Sequence, residues 1–384
     1  MILDYRPEPR PTGRLISLVN DMHFAPRWSL LASAIFLAAT AASASDFKSF
    51  KDWYAACDNL RNCSAYGFST DVGDARAYLR IERGGAANAP ITITLSVDPA
   101  EAASYRIAFD PALPGLPGGP LTGKEGEGND YRRTVLAEGA SAQALIDSIR
   151  KAKAIVVTLQ PAAGKKLDTP TTNVSMSGAA AALFWIDDQQ KRIDTVTAMV
   201  RRGAKPASAI PAQPKAHVIV AAKPTKEKPP AKQPPGLEAK GRALCGESDP
   251  KSKMENMYAL GGGQILYEFS CPENSGAYNF QSVYMVGPAG NPQVARAVAF
   301  KWPIKIGDIQ HDEPQNGLIN PNFDEETMTL SSFGKGRGIG DCGSDEEWVW
   351  DGKTFRLAKL SLMSECHGVS LDDWPVVYQT QVRR

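Results

Sequence analysis

The chain is poor in the groups that most enzymes use to move protons. Only four of its 384 residues are histidine. His23 lies in the leader described below and His217 in a proline-rich stretch, so His311 and His367 are the two left for a folded site. No G-x-S-x-G, H-E-x-x-H or phosphate-loop string occurs, which removes the sequence support for a serine hydrolase, a zinc protease or a P-loop enzyme. No C-x-x-C is present for a redox or zinc site. Beyond the leader no apolar run approaches the roughly 18 residues of a membrane-spanning helix. The net charge is only +1, and nothing in it asks for a nucleic-acid partner.

What is present begins with an export signal. From Met22, Arg27 carries a short basic n-region, 28–39 are apolar, and Ala42-Ser43-Ala44 forms a cleavage pattern. This predicts a secretory signal peptide over 22–44, cut after Ala44, with Met22 as the true start and 1–21 as an unpatterned prefix. The leader has no cysteine for lipoprotein attachment. All six cysteines (Cys57, Cys63, Cys245, Cys271, Cys342 and Cys366) lie downstream, and an even count beyond a leader predicts disulfides in an oxidising space such as the periplasm.

Composition divides the mature chain. Residues 203–242 hold eight prolines, seven lysines and one arginine against two acids, Glu227 and Glu238. This basic stretch reads as a semi-rigid linker between regions 45–202 and 243–384, either a solvated spacer or a tether for anionic envelope material. Side-chain charges sum to +1, +6 and −7 for the three regions in order. With the linker between them, cysteines should pair within regions: Cys57 with Cys63 in the first, and one of three pairings in the second, where sequential order joins Cys245 to Cys271 and Cys342 to Cys366.

In the first region short β-branched or aromatic runs predict strands over 50–57, 75–82, 91–97, 105–109, 154–160 and 195–201. Ser141 and Ser177 stand as N-caps ahead of two helices, over 141–151 and from 177. This is an α+β domain with a mainly antiparallel sheet. The second region shows strand-like runs over 264–271, 278–286, 294–302, 327–333, 347–350, 355–363 and 375–382, with Asp351-Gly352 as a two-residue hairpin signal. It reads as a mainly-β meander closed into a sandwich or small barrel.

The most unusual short string is Gly334-Lys335-Gly336-Arg337-Gly338-Ile339-Gly340. Alternating glycines permit close backbone approach, and Lys335 and Arg337 suit an anion-binding loop, but no helix follows to add its dipole. A structural turn anchored by Cys342 competes with that reading. His311-Asp312-Glu313 ahead of Pro314 reads as an exposed turn, and His367 as held by packing around a disulfide. Asn320-Pro-Asn-Phe-Asp324 has alternating oxygen donors, yet Glu325 stands where a calcium loop needs glycine. Trp348 and Trp350 share one strand face and, with Trp302, Phe355 and Trp374, read as core in preference to a binding groove.

Three strings carry a resemblance: Asp52-Trp53-Tyr-Ala-Ala-Cys57 with Cys63; Ser175-Met-Ser-Gly178-Ala-Ala-Ala-Ala182 with Asp187 and Gln190; and Lys335 to Gly343 with Trp350-Asp-Gly-Lys-Thr-Phe355. Together they resemble the bacterial family known as domain of unknown function 1176. The first half also resembles the invasion-associated locus B proteins through Trp53, Cys57, Cys63 and the Gly178 helix. The resemblance implies a secreted or periplasmic protein of Gram-negative bacteria and transfers no catalytic residue, metal or cofactor. The expectation is a non-enzymatic envelope module that binds a protein, cell-wall or anionic-lipid partner. A hydrolase or transferase of envelope polymers, using carboxylates such as Asp341 or Asp324 with Lys335 and Arg337, is the alternative.

Overall fold

A computed structural model describes residues 46–70, 76–98, 101–125, 131–246, 249–305 and 315–384. The leader and His311-Asp312-Glu313 lie outside them.

The strand Trp53–Cys57 shows how the molecule is built. All five of its side chains are buried, because alternate residues enter different cores. Trp53, Ala55 and Cys57 face one hydrophobic cluster, Tyr54 and Ala56 another. The neighbouring strands Cys63–Phe68 and Arg76–Arg83 repeat the division, with Ala65, Leu79 and Ile81 on the first face and Tyr66, Phe68 and Tyr78 on the second. They belong to a seven-stranded sheet that runs, in spatial order, Asp46–Phe50, Trp53–Cys57, Cys63–Phe68, Arg76–Arg83, Ile91–Asp98, Arg132–Glu138, Lys124–Glu125, with antiparallel pairing throughout.

The helices Ala140–Ile149 and Ala179–Gln189 cover the first face, together with a three-stranded sheet of Thr171–Ser175, Ala154–Pro161 and Ala102–Asp110. Both helices start at glycine, not at the serines expected to cap them. Gly178 has φ 106°, and a Cβ there would stand 1.7 Å from the Phe50 carbonyl oxygen, so close approach and not side-chain capping sets that helix start. Residues 195–201 form turns in place of the expected strand, since the buried Asp187 carboxylate accepts the Met199 and Val200 amides at 3.0 and 2.9 Å.

The second face is covered by the C-terminal half. Two open five-stranded sheets, one containing Met254–Gly261, Gln264–Cys271 and Gln281–Pro288, the other Asn322–Asp324, Thr329–Lys335, Gly343–Trp350, Phe355–Met363 and Val376–Gln379, supply Leu266, Tyr284, Leu330 and Trp348 to the same cluster as Tyr54 and Tyr66. Neither sheet closes, so the barrel alternative is not realised. Tyr54 donates to the Leu362 carbonyl at 3.2 Å and Tyr66 to that of Asp373 at 2.7 Å. Asp373, 2% exposed, also receives Arg80 at 2.8 Å, Arg133 at 3.0 Å and the Tyr78 hydroxyl. Residues 294–302 hold only a two-residue strand, Arg296–Ala297, and an isolated bridge at Phe300. Trp350 pairs with Phe355, so the Asp351-Gly352 hairpin has a four-residue loop and not the two-residue turn expected.

The basic segment 203–242 does not extend freely. Val218–Val220 pairs in parallel with Gln381–Arg383, Ile210, Ile219, Ala221 and Leu237 are buried, and the Glu227 carboxylate accepts the Gly262 and Gly263 amides at 3.1 and 2.9 Å. A short β-branched run, Val-Ile-Val, is enough to form a separate two-stranded sheet with the C-terminal strand despite the flanking prolines. Disulfides join Cys57 to Cys63, Cys245 to Cys271 and Cys342 to Cys366.

Candidate ligand clefts at the glycine loop

The strands Thr329–Lys335 and Gly343–Trp350 form a hairpin whose connection is the glycine loop. A Cβ on Gly336 would stand 2.7 Å from Cys342 Sγ, and one on Gly343, where φ is 136°, 1.9 Å from the Gly334 carbonyl oxygen. The glycines therefore let the chain fold tightly over the Cys342–Cys366 disulfide. Within the loop Arg337 reaches both Asp341 carboxylate oxygens, Nε to Oδ1 at 2.7 Å, and donates to the Cys366 carbonyl at 2.9 Å. Burial works against ionisation of Asp341, but the bonds from Arg337 and the Gly368 amide hold its carboxyl below the ordinary range. Lys335 places its ammonium 5.6 Å from the Phe333 ring centroid.

The loop is divided between two clefts. Arg337 and Ile339 line a larger one of about 580 Å³, with Lys51, Phe68, Arg76 and His367 on its other walls. Lys51 occupies the tight turn between Asp46–Phe50 and Trp53–Cys57 in the left-handed region, φ 56°. His367 stacks on Phe68 with centroids 4.4 Å apart and planes at 18°. Among the described residues neither Lys51 nor Arg76 makes an ion pair, whereas the nearby Asp52 carboxylate accepts the Ser175 hydroxyl at 2.6 Å. Two uncommitted cations and a planar ring pair thus face one hollow, which suits an anion.

Gly334, Lys335 and Gly336 line a smaller cleft of about 360 Å³ with Ser332, Ser344 and Glu346. Glu346 is 4% exposed and accepts the indole N–H of Trp348 at 2.7 Å, with Trp302 on the wall of the same cleft. Burial pushes its carboxyl up to about 7, with neighbouring Asp345 adding to the shift and the two indoles opposing it.

The other candidates take structural places. Asp324 is exposed and accepts the Glu326 amide at 2.8 Å and the Thr327 hydroxyl at 2.7 Å; these bonds, led by Thr327, hold its carboxyl below the ordinary range. Asn320 ties three loops together from a left-handed φ of 44°. Trp302, Trp348, Trp350, Phe355 and Trp374 all lie in the core. Cys245, Asp249 and Cys271 come within metal-ligand distance of one another, but both sulfurs are in the disulfide and offer no thiolate. Lys51, Phe68 and Arg76 carry no sequence signal of their own as ligand groups. Glu346 does: it stands two residues before Trp348, the parity that places a carboxylate on the tryptophan face of the strand.

Fold and clefts define a mostly β protein, stapled by three disulfides, whose chemistry gathers at a glycine hairpin. The chain belongs to the family described as protein of unknown function (DUF1176), whose model matches residues 47–381. It is 29% identical over 363 residues to the uncharacterized protein YpfG of Escherichia coli, a match covering 87% of this chain and 93% of the relative. No solved structure matches it.

Proposed function

We propose that this protein is an exported periplasmic module that binds an anionic ligand in the larger cleft and catalyses no reaction. The observation that carries the reading is the pair of cations, Lys51 and Arg76, which make no ion pair among the described residues and face the Phe68–His367 stack. Export is supported by the leader pattern and by the three disulfides, which suit an oxidising compartment. The opening Trp53 with Cys57 and Cys63, shared in kind with the invasion-associated locus B proteins, fits the same place.

The hydrolase alternative has less support. Asp341 and Asp324 are both held ionised by their hydrogen bonds, so neither serves as a proton donor near neutral pH. Glu346 is the one carboxylate among the described residues lining its cleft, whereas the chemistry wants a facing pair.

Titration with glycerol phosphate, followed through the His367 imidazole resonances, tests the binding reading. A saturable shift that disappears in the Lys51→Ala/Arg76→Ala variant is expected. No saturable shift at tens of millimolar ligand refutes it. For export, the native protein should begin at Ser45, and a retained leader excludes the assignment.

A further inference from the structure

Ile339 belongs at once to the anion cleft and to an exposed apolar face. It is 68% exposed, Phe280 is 59% and Tyr278 38% exposed. The two loops that carry them meet: a Cβ on Gly338 would lie 3.5 Å from the Tyr278 ring. Chain ends and loop tips with apolar side chains are common, but this one is held still. Asn279 brackets the loop like a strand partner, its Oδ1 accepting the Lys335 amide at 3.0 Å and its Nδ2 donating to the Lys335 carbonyl at 2.8 Å. Asn320 donates to the Tyr278 and Phe333 carbonyls at 3.0 and 2.9 Å, accepts the Phe280 amide at 3.0 Å, and its own amide donates to the Phe280 carbonyl at 2.7 Å. The Cys342–Cys366 disulfide anchors the far side. A fold that fixes the backbone beneath exposed apolar side chains, next to a cleft lined by Lys51 and Arg76, has less ordering left to do when a partner arrives.

We propose that this face docks on an anionic bilayer. Ile339, Phe280 and Tyr278 enter the headgroup and upper acyl region, and a lipid phosphate occupies the cleft between Lys51 and Arg76. The occupant follows from complementarity: it must be apolar against the exposed Ile339 and anionic in the cleft that Ile339 also lines, and the interface of a phosphatidylglycerol-containing membrane offers both side by side. Aromatic and branched side chains flanked by cations suit this boundary, because the rings tolerate the polar headgroups while the cations gain from surface potential. Among the described residues at the cleft, Asp341 is ion-paired with Arg337, Glu365 lies 3.9 Å from His367, and Asp52, which keeps its charge while accepting the Ser175 hydroxyl, is set against two cations, Lys51 and Arg76. The inference rests on the anion-cleft reading and names its ligand as a membrane lipid.

The test is flotation of the full mature protein with vesicles of phosphatidylethanolamine and phosphatidylglycerol, 3:1, against vesicles of phosphatidylcholine alone, run beside the glycerol phosphate titration. Wild type should float with the anionic vesicles at least about tenfold more tightly than with the neutral ones and come off as salt rises. Tyr278→Ser/Phe280→Ser, which lies outside the cleft lining, should lose that binding about tenfold while keeping both its melting temperature and its glycerol phosphate shift. Lys51→Ala/Arg76→Ala should lose both. Intact glycerol phosphate binding with no flotation overturns the membrane inference and leaves the cleft reading standing. Equal flotation with neutral and anionic vesicles, with no glycerol phosphate shift, overturns the phosphate assignment. Flotation unchanged by Tyr278→Ser/Phe280→Ser, or by Phe280→Ser alone if the double variant does not fold, removes the apolar face from the interaction.

Discussion

Glu346 makes the structure's electrostatics measurable. Its carboxyl is raised from an ordinary 4.5 to about 7 because burial between Trp302 and Trp348 disfavours the charged form. A raised carboxyl binds its proton more tightly in the folded than in the unfolded chain. Its contribution to stability is therefore fully present below about pH 4.5, declines as pH rises through 7, and levels off above. The shift corresponds to about 3 kcal/mol, at roughly 1.4 kcal/mol per pH unit. Glu346→Gln removes the titration. Its amide keeps the single carbonyl acceptor of the protonated carboxyl but puts an NH2 where the O–H was, and that poorer fit returns about 1 kcal/mol. The variant should thus be more stable than wild type by about 2 kcal/mol at pH 8 and less stable by about 1 kcal/mol at pH 4. With an unfolding entropy of roughly 2.1 cal/mol/K per residue in a unit of this size, the gain at pH 8 is a rise of about 3 °C. Asp58, Glu82, Asp187 and Asp345 are also pushed upward by burial, so both proteins will lose some stability towards high pH. That shared slope cancels in the difference between them. Calorimetry from pH 4 to 8 is the assay, and parallel curves for the two proteins would refute the assignment of a buried, proton-binding Glu346.

Asp373→Ala removes the buried carboxylate shared by Arg80 and Arg133, leaving them only the more exposed Glu82 and Asp372, and should cost about 3 kcal/mol in urea unfolding; a loss under 1 kcal/mol would mean that solvent screens the cluster. Gly343→Ala places a Cβ on the Gly334 carbonyl and should lose at least about 2 kcal/mol, read from the same urea curves. Lys51→Gly relieves a left-handed backbone and should be neutral to about 1 kcal/mol more stable while weakening glycerol phosphate binding, a split that calorimetry and the titration separate. Cys342→Ser/Cys366→Ser opens a loop of sequence separation 24 and should cost about 3 kcal/mol, measured as a lower urea midpoint.

Much of the architecture was legible because its signals are local. The runs 91–97, 264–271 and 355–363 alternate or stay apolar over strand lengths, and each is a strand with bounds within one residue of those expected. Elements with weaker patterns escaped, such as Cys63–Phe68, Arg132–Glu138 and Met254–Gly261, whose small, charged or mixed side chains are recruited by pairing to stronger neighbours. The helix starts were misread for a related reason. Serine is the better cap by propensity, but the space beside the Phe50 carbonyl admits only glycine.

Local order in the chain was enough to establish antiparallel β structure and the two helices, since period and turn residues act over a few residues. It was not enough to show that Tyr54, Tyr66 and Tyr78 would meet Trp348 across the middle of the molecule, that the basic segment would join the Gln381–Arg383 strand, or that Lys51 and Arg76 would face Arg337 and His367 over one hollow. Those juxtapositions bring together residues from 163 positions apart, for Val218 and Gln381, to 316 apart, for Lys51 and His367. They arise because the seven-stranded sheet has two apolar faces and only one set of helices, so its second face stays exposed to water until the distant half of the chain covers it.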